Sequence, residues 1–129
     1  MSKIVSDPTP QLPPKQKGVA RLIAATKFSI AGLTAAWKFE EAFRLEVIAF
    51  CVLAPLGIWL GHSRVEQVLL VGCLFFVLMM ELVNSAIEAV VNRAGLEYHE
   101  LAGRAKDIGS AAVFVALTLV PFVWGMLLL

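Results

Sequence analysis

A row of polar side chains occupies one face of a segment that is otherwise apolar enough to cross a membrane. The row consists of Glu81, Asn84, Ser85 and Glu88, and it directly follows the apolar run 68–80. Its helical spacing places all four residues on the same side of one α-helix. A charged side chain near the bilayer centre costs roughly 2.5–3.5 kcal/mol, so such residues are rare and usually functional. The row therefore predicts a site that holds something polar at the edge of a membrane.

The composition of the 129-residue chain is typical of an integral membrane protein. Hydrophobic residues make up 59% of the chain, and its mean hydropathy is +0.80. A transmembrane helix needs about 20 predominantly apolar residues, and three stretches reach that length with their flanks. We predict an all-α membrane protein whose three transmembrane helices cover about 44–61, 65–92 and 107–129.

The N-terminal part of the chain has a different pattern. Residues 1–17 are rich in proline, lysine and other polar residues, which predicts a disordered cytoplasmic tail. Residues 18–38 mix apolar with basic and hydroxyl positions, which predicts an amphipathic helix on the membrane surface. Residues 18–129 as a whole are then a single membrane domain.

Basic residues are distributed unevenly along the sequence. Seven precede the apolar core of the first predicted span, three lie between the second and third spans, and Arg64 lies between the first and second. Because positively charged segments stay on the cytoplasmic side, we predict a cytoplasmic N-terminus. The polar row then lies toward the cytoplasmic end of the second span, where ATP is available.

Further charged side chains lie near that end in the predicted topology. Glu40, in the N-terminal half of the chain, lies at the same membrane depth as the polar row. Four further residues follow the second span: Glu97, His99, Lys106 and Asp107. Carboxylate oxygens suit Mg²⁺, which commonly bridges to substrate phosphates, and basic groups complement those phosphates. The inventory therefore favours phosphoryl transfer, although the sequence contains no glycine-rich phosphate-binding loop.

Plainer interpretations are open for single members of this set. Glu81 alone could be a buried polar residue that a neighbouring helix satisfies, and Glu88 could be the solvated end of its helix. Glu100 and Arg104 are four residues apart and could form an exposed helix pair.

Three segments resemble the small bacterial integral-membrane diacylglycerol kinases: AAWKFEEAFRLE at 35–46, ELVNSAIEAVVNR at 81–93 and EYHELAGRAKDIGSAAV at 97–113. The resemblance covers about 21–124. It implies a homotrimer of three-span subunits in the bacterial inner membrane, each with a surface helix, and active sites shared between protomers. It further implies Mg²⁺- and ATP-dependent phosphorylation of the primary hydroxyl of diacylglycerol, which gives phosphatidic acid.

The resemblance also assigns roles to individual residues. It makes Glu81 the general base on the lipid hydroxyl, Asn84 a support of the catalytic centre, and Glu40 and Glu88 the Mg²⁺ ligands. The implied nucleotide site comprises Arg21, Phe28, Glu40, Glu88, Glu97, His99, Lys106 and Asp107. The implied lipid site comprises Arg21, Ser29, Arg44, Glu46, Glu81, Ser110 and Trp124.

Three alternative functions are compatible with parts of the pattern. A kinase of the same architecture could act on undecaprenol, although the segment EYHELAGRAKD at 97–107 looks more like the diacylglycerol branch. A small proton-coupled transporter would need a membrane carboxylate such as Glu81, but not the charged groups gathered on the cytoplasmic side. A non-catalytic structural subunit would leave the polar row unexplained.

Overall fold

The computed structural model describes residues 12–93 and 99–129, which form four α-helices. These helices are α1 (Gly18–Phe39), α2 (Glu41–Leu60), α3 (Arg64–Arg93) and α4 (Glu100–Leu128). All four are long and apolar enough to cross a membrane. The prediction of an all-α chain is confirmed for these residues. Residues 1–11 and Glu97 lie outside the described residues.

Helix α1 starts where the sequence predicts it and ends one residue later. Its most apolar window has a mean hydropathy of 1.3, against 1.9 to 2.3 for the other three helices. Nearly all of its side chains are exposed, and Ala36 is its buried residue. By length and composition alone, α1 is therefore a fourth candidate span, where the sequence analysis expected a surface helix.

The chain divides into two compact units, Met1–Leu33 and Thr34–Leu129. The second unit contains the end of α1 and all of α2, α3 and α4. Between α1 and α2, Glu40 adopts an extended backbone, and its side chain makes no capping hydrogen bond. Arg44 Nη1 donates to the carbonyl oxygens of Trp37 (2.8 Å) and Lys38 (3.1 Å). These bonds satisfy carbonyls that the end of α1 leaves without helical partners.

Helix α3 is the central element of the second unit, because it packs against both α2 and α4. Its buried residues recur every three or four positions and so form one stripe along the helix. The stripe is apolar in its N-terminal part and polar in its C-terminal part. It consists of Leu70, Cys73, Leu74, Val77, Glu81 and Asn84.

At the apolar end of the stripe, all three helices are in close contact. Leu70 is fully buried, and the indole N–H of Trp124 donates to its backbone oxygen over 3.1 Å. A Cβ atom at Gly57 of α2 would lie 3.2 Å from Leu70 Cβ and 3.4 Å from the Trp124 ring. A glycine therefore allows α2 to come close to both side chains.

Helix α4 begins earlier than the span predicted at 107–129. His99 is its N-cap residue, with Nδ1 accepting a hydrogen bond from Leu101 N over 3.2 Å. This cap starts the helix in the polar segment that precedes the predicted span. Arg104 and Glu100 form an exposed pair at 3.5 Å, as their four-residue spacing suggests.

We expect Trp124→Phe to lower the free energy of unfolding by about 1 kcal/mol, because a hydrogen bond inside a membrane bundle is worth roughly 0.6–2 kcal/mol. Unfolding in detergent micelles by SDS titration measures this. Trp59→Phe is the matched control, since Trp59 is 79% exposed. Equal losses in the two variants would contradict a structural role for the Trp124 indole.

Candidate active site

The C-terminal half of α3 turns its polar row toward the other helices. Glu81 is 5% exposed and Asn84 is 8% exposed, and Ser85 and Glu88 are half-buried. Val83, on another face, is exposed. The helix thus places all four polar residues on its inward side, as their spacing predicts.

Four carboxyl groups converge on this row, and we refer to Glu40, Glu46, Glu81 and Glu88 as the carboxyl cluster. Glu46 of α2 lies within hydrogen-bonding range of Glu81 on α3, and Glu40 and Glu88 both interact electrostatically with Glu81. Ionised carboxylates can only accept hydrogen bonds, so a bond between Glu46 and Glu81 requires one shared proton. The cluster therefore combines a pair that can share one proton with two further carboxyl groups.

Three buried polar atoms of the site have no hydrogen-bond partner among the described residues. They are Glu46 Oε2, Asn84 Oδ1 and Ser85 Oγ. A buried polar group without a partner costs about 1–3 kcal/mol, and native structures contain few of them. Glu46 Oε2 and Ser85 Oγ therefore have hydrogen-bonding capacity to offer a ligand, whereas Asn84 Oδ1 packs against the backbone of α4.

Asn84 connects the buried part of the row with its half-buried end. Its Nδ2 donates to Glu88 Oε1 over 3.5 Å, a long hydrogen bond. The bond occupies one oxygen of Glu88 and leaves the other for a different partner. Glu88 lies two turns beyond Glu81, about 10 Å further along the helix axis.

A basic side chain of α4 reaches the end of α3. Lys106 Nζ donates to Asn92 Oδ1 over 3.0 Å. Since this partner is an amide, the contact orients the ammonium group without neutralising its charge. The lysine therefore presents a positive charge at the end of the helix that carries Glu81 and Glu88.

An apolar groove extends from Glu46 along the second unit. Its volume is about 180 Å³, and Glu46 supplies its acidic group. Side chains from three helices line the rest of the groove. They include Phe50 and Leu53 of α2, Leu74 and Val77 of α3, and Leu117 of α4. A groove that is apolar along its length and acidic at one point fits an apolar chain with a polar head.

The structure brings together some of the predicted site residues and leaves others untested. The carboxyl cluster, Asn84 and Lys106 belong to the second unit and lie at or near the C-terminal half of α3. Arg21, Phe28 and Ser29 are exposed on α1 in the first unit, so their part in the site stays a prediction.

The remaining predicted residues have other observed environments. His99 caps α4, Arg44 caps α1, and Asp107 and Ser110 are exposed in the first turns of α4. Trp124 contacts Leu70, which is about 16 Å from the level of Glu81 along the α3 axis. Its predicted lipid contact would lie far from the carboxyl cluster.

Metal binding at this site would need help from a substrate. Among residues 12–93 and 99–129, no group of three or more His, Cys, Asp or Glu side chains could hold a metal ion. Mg²⁺, however, is usually bound by one or two carboxylates together with substrate phosphates. Glu40 and Glu88 suit that kind of site, because neither is fully used by the contacts described above.

Sequence reasoning did not identify the contacts that Arg44 and Asn92 make in this region. Asn92 had a detectable signal, since it follows Glu88 by four residues and extends the polar row by one turn. Arg44 acts through a contact with another segment, which helical spacing does not show.

Comparison with known proteins gives consistent matches. A family model described as prokaryotic diacylglycerol kinase matches residues 27–128. A Haemophilus influenzae protein named diacylglycerol kinase is 49% identical over 114 residues, covering 88% of this chain and 97% of that protein. Proteins of the same name from Escherichia coli and Pseudomonas aeruginosa are 47% and 46% identical, covering 86% and 88% of this chain and 91% and 93% of those proteins.

We expect Glu81→Gln to raise the free energy of unfolding by about 1–2 kcal/mol, because a glutamine amide donates to Glu46 without the proton that two acidic groups must share. SDS titration in micelles measures the change. Glu41→Gln is the control, since Glu41 is exposed on the same part of the bundle. A less stable Glu81→Gln protein would show that the acidic pair holds the fold together.

Proposed function

The chain belongs to the prokaryotic diacylglycerol kinase family, and from that premise we propose that it transfers the γ-phosphoryl group of ATP to diacylglycerol. The acceptor is the primary hydroxyl of the lipid, and the product is phosphatidic acid. One observation carries the proposal: half-buried Glu46 on α2, which pairs with buried Glu81 on α3, lines an apolar groove. A lipid in the groove would bring its hydroxyl to the carboxyl groups.

Glu81 is the general base of the proposed reaction. With the shared proton on Glu46, the Glu46 O–H donates to Glu81 and leaves Glu81 ionised. Glu81 then accepts the proton of the lipid hydroxyl while the hydroxyl oxygen forms a bond to the γ-phosphorus. The bond from that phosphorus to the bridging oxygen breaks, and ADP leaves with the electron pair.

The nucleotide binds at the half-buried end of the site, near Glu88. Glu88 lies about 10 Å from Glu81 along the helix, closer to water, where a triphosphate stays hydrated. Lys106 is oriented by Asn92 and would complement the phosphate charge. Glu97, His99 and Asp107 keep the nucleotide contacts that the family resemblance implies.

The donor set fits a hard divalent cation that is shared with ATP. Glu40 has no capping bond, and Glu88 has one oxygen bonded to Asn84, so both have oxygens to offer. Bound Mg²⁺ supplies charge neutralisation on the phosphates. The protein groups hold the triphosphate in line with the lipid hydroxyl, which is the main catalytic requirement of phosphoryl transfer.

We also propose that α2, α3 and α4 span the bacterial inner membrane, with α1 on its cytoplasmic surface. Helix α1 has the lowest hydropathy of the four and carries Arg21 and Lys27 within its length. The apolar windows of α2 and α4 are each only 11% buried. Such exposed apolar surface is compatible with lipid and with a homotrimer whose subunits share active sites.

Phosphate transfer from labelled ATP to diacylglycerol and to undecaprenol, in parallel micelles with Mg²⁺, tests the proposed function. We expect label on diacylglycerol, with at least about a hundredfold loss in Glu81→Gln because general base catalysis contributes that much. Glu41→Gln is the control. Label on undecaprenol instead would identify that lipid as the substrate. If a folded protein labels neither lipid, the result favours a proton-coupled transporter.

We expect Glu88→Gln to raise the Mg²⁺ and ATP concentrations for half-maximal rate by at least about tenfold, since changes at metal sites typically weaken binding that much. The KM for diacylglycerol should not change, because the lipid lies at Glu81. Glu100→Gln is the control, since its side chain is 82% exposed. Unchanged Mg²⁺ and ATP dependences would exclude Glu88 as a metal ligand.

A further inference from the structure

Helix α4 passes very close to the catalytic face of α3 at Gly109, which is buried. A Cβ atom at this position would lie 2.5 Å from Asn84 Oδ1 and 3.6 Å from Ile87 Cδ1. Carbon and oxygen atoms without a bond do not approach to 2.5 Å in folded proteins. Any side chain at Gly109 would therefore have to displace the Asn84 amide.

The backbone of Gly109 gives no other reason for a glycine. Its φ is not in the left-handed region, and it lies inside a long helix. A glycine there costs about 1 kcal/mol relative to alanine. The structure therefore offers one reason for a glycine at position 109, which is that it leaves space for the Asn84 side chain.

The Asn84 amide is held more by packing than by hydrogen bonds. The residue is 8% exposed, and its Oδ1 is buried without a donor among the described residues. Its Nδ2 points at Glu88 Oε1 over 3.5 Å. Contact with the backbone of Gly109 thus fixes the position of Asn84 Oδ1. Because the amide is planar, this also fixes the direction in which Nδ2 points.

We propose that Gly109 is a positioning residue for phosphoryl transfer: it leaves the space in which the Asn84 amide sits, and the amide in turn orients the Glu88 carboxylate. This inference rests on the proposed function. Gly109 touches no substrate and acts through Asn84. The displaced atom is the free end of a flexible side chain, so an added methyl group moves the amide rather than the helices.

The test compares Gly109→Ala with Gly125→Ala, a glycine of the same helix with nothing within 4 Å of an added Cβ. The kcat of Gly109→Ala should fall about 10- to 100-fold, as misplacement by about 1 Å commonly does. The midpoint of SDS unfolding and the KM for diacylglycerol should stay near wild type. Gly125→Ala should keep wild-type kinetics.

A second readout follows the amide itself. The side-chain NH₂ resonance of Asn84 in a ¹⁵N-labelled sample is identified by its loss in Asn84→Ala. We expect this resonance to shift in Gly109→Ala and to stay in place in Gly125→Ala. A merely structural role for Gly109 would move the unfolding midpoint without this local signature.

The outcomes separate the inference from the proposed function. An active wild type with unchanged kcat or an unshifted Asn84 resonance in Gly109→Ala overturns the inference alone. An inactive wild type overturns the proposed function and the inference with it. Should Gly109→Ala not fold, adding Asn84→Ser decides: recovered folding locates the clash at Asn84, and no recovery overturns the inference.

Discussion

The central physical constraint is that α3, the most buried of the described helices, also carries their two buried polar residues, Glu81 and Asn84. In an apolar environment, acidic and amide groups are tolerated only where neighbouring helices surround them. Helix α2 supplies Glu46 opposite Glu81, and α4 supplies the bare backbone of Gly109 beside Asn84. The packing of both outer helices is thus adapted to the polar groups of the central one.

The two ends of the buried stripe have different roles. At Leu70, a glycine on α2 and an indole on α4 give close contact and a hydrogen bond. About 16 Å away along the axis, Glu81 and Asn84 are buried with hydrogen-bonding capacity left over. Proteins commonly place destabilising groups at functional sites and compensate for them elsewhere. Here one end of α3 packs closely with both neighbouring helices, and the other end carries the residues of the proposed site.

The sequence predicted those features that depend on local periodicity. The spacing of Glu81, Asn84 and Glu88 defined the polar face, and apolar length located α2 and α3 to within a few residues. Helix α4 begins seven residues before the span predicted at 107–129, because the His99 cap starts it within a polar segment. The Arg44 cap and the Gly109 contact depend on tertiary packing, which spacing along one helix does not encode. The family resemblance, rather than the residue pattern, supplied the lipid and the individual roles.

In the proposed reaction, Glu81 removes the proton of a lipid hydroxyl. The most direct measurement is the rate of wild type and Glu81→Gln on diacylglycerol and on an analogue whose hydroxyl is acidified by neighbouring fluorine. An acidified hydroxyl needs less help from a base. If Glu81 is the base, the analogue raises the rate of Glu81→Gln by a larger factor than that of wild type. Equal factors for the two proteins would contradict the base role.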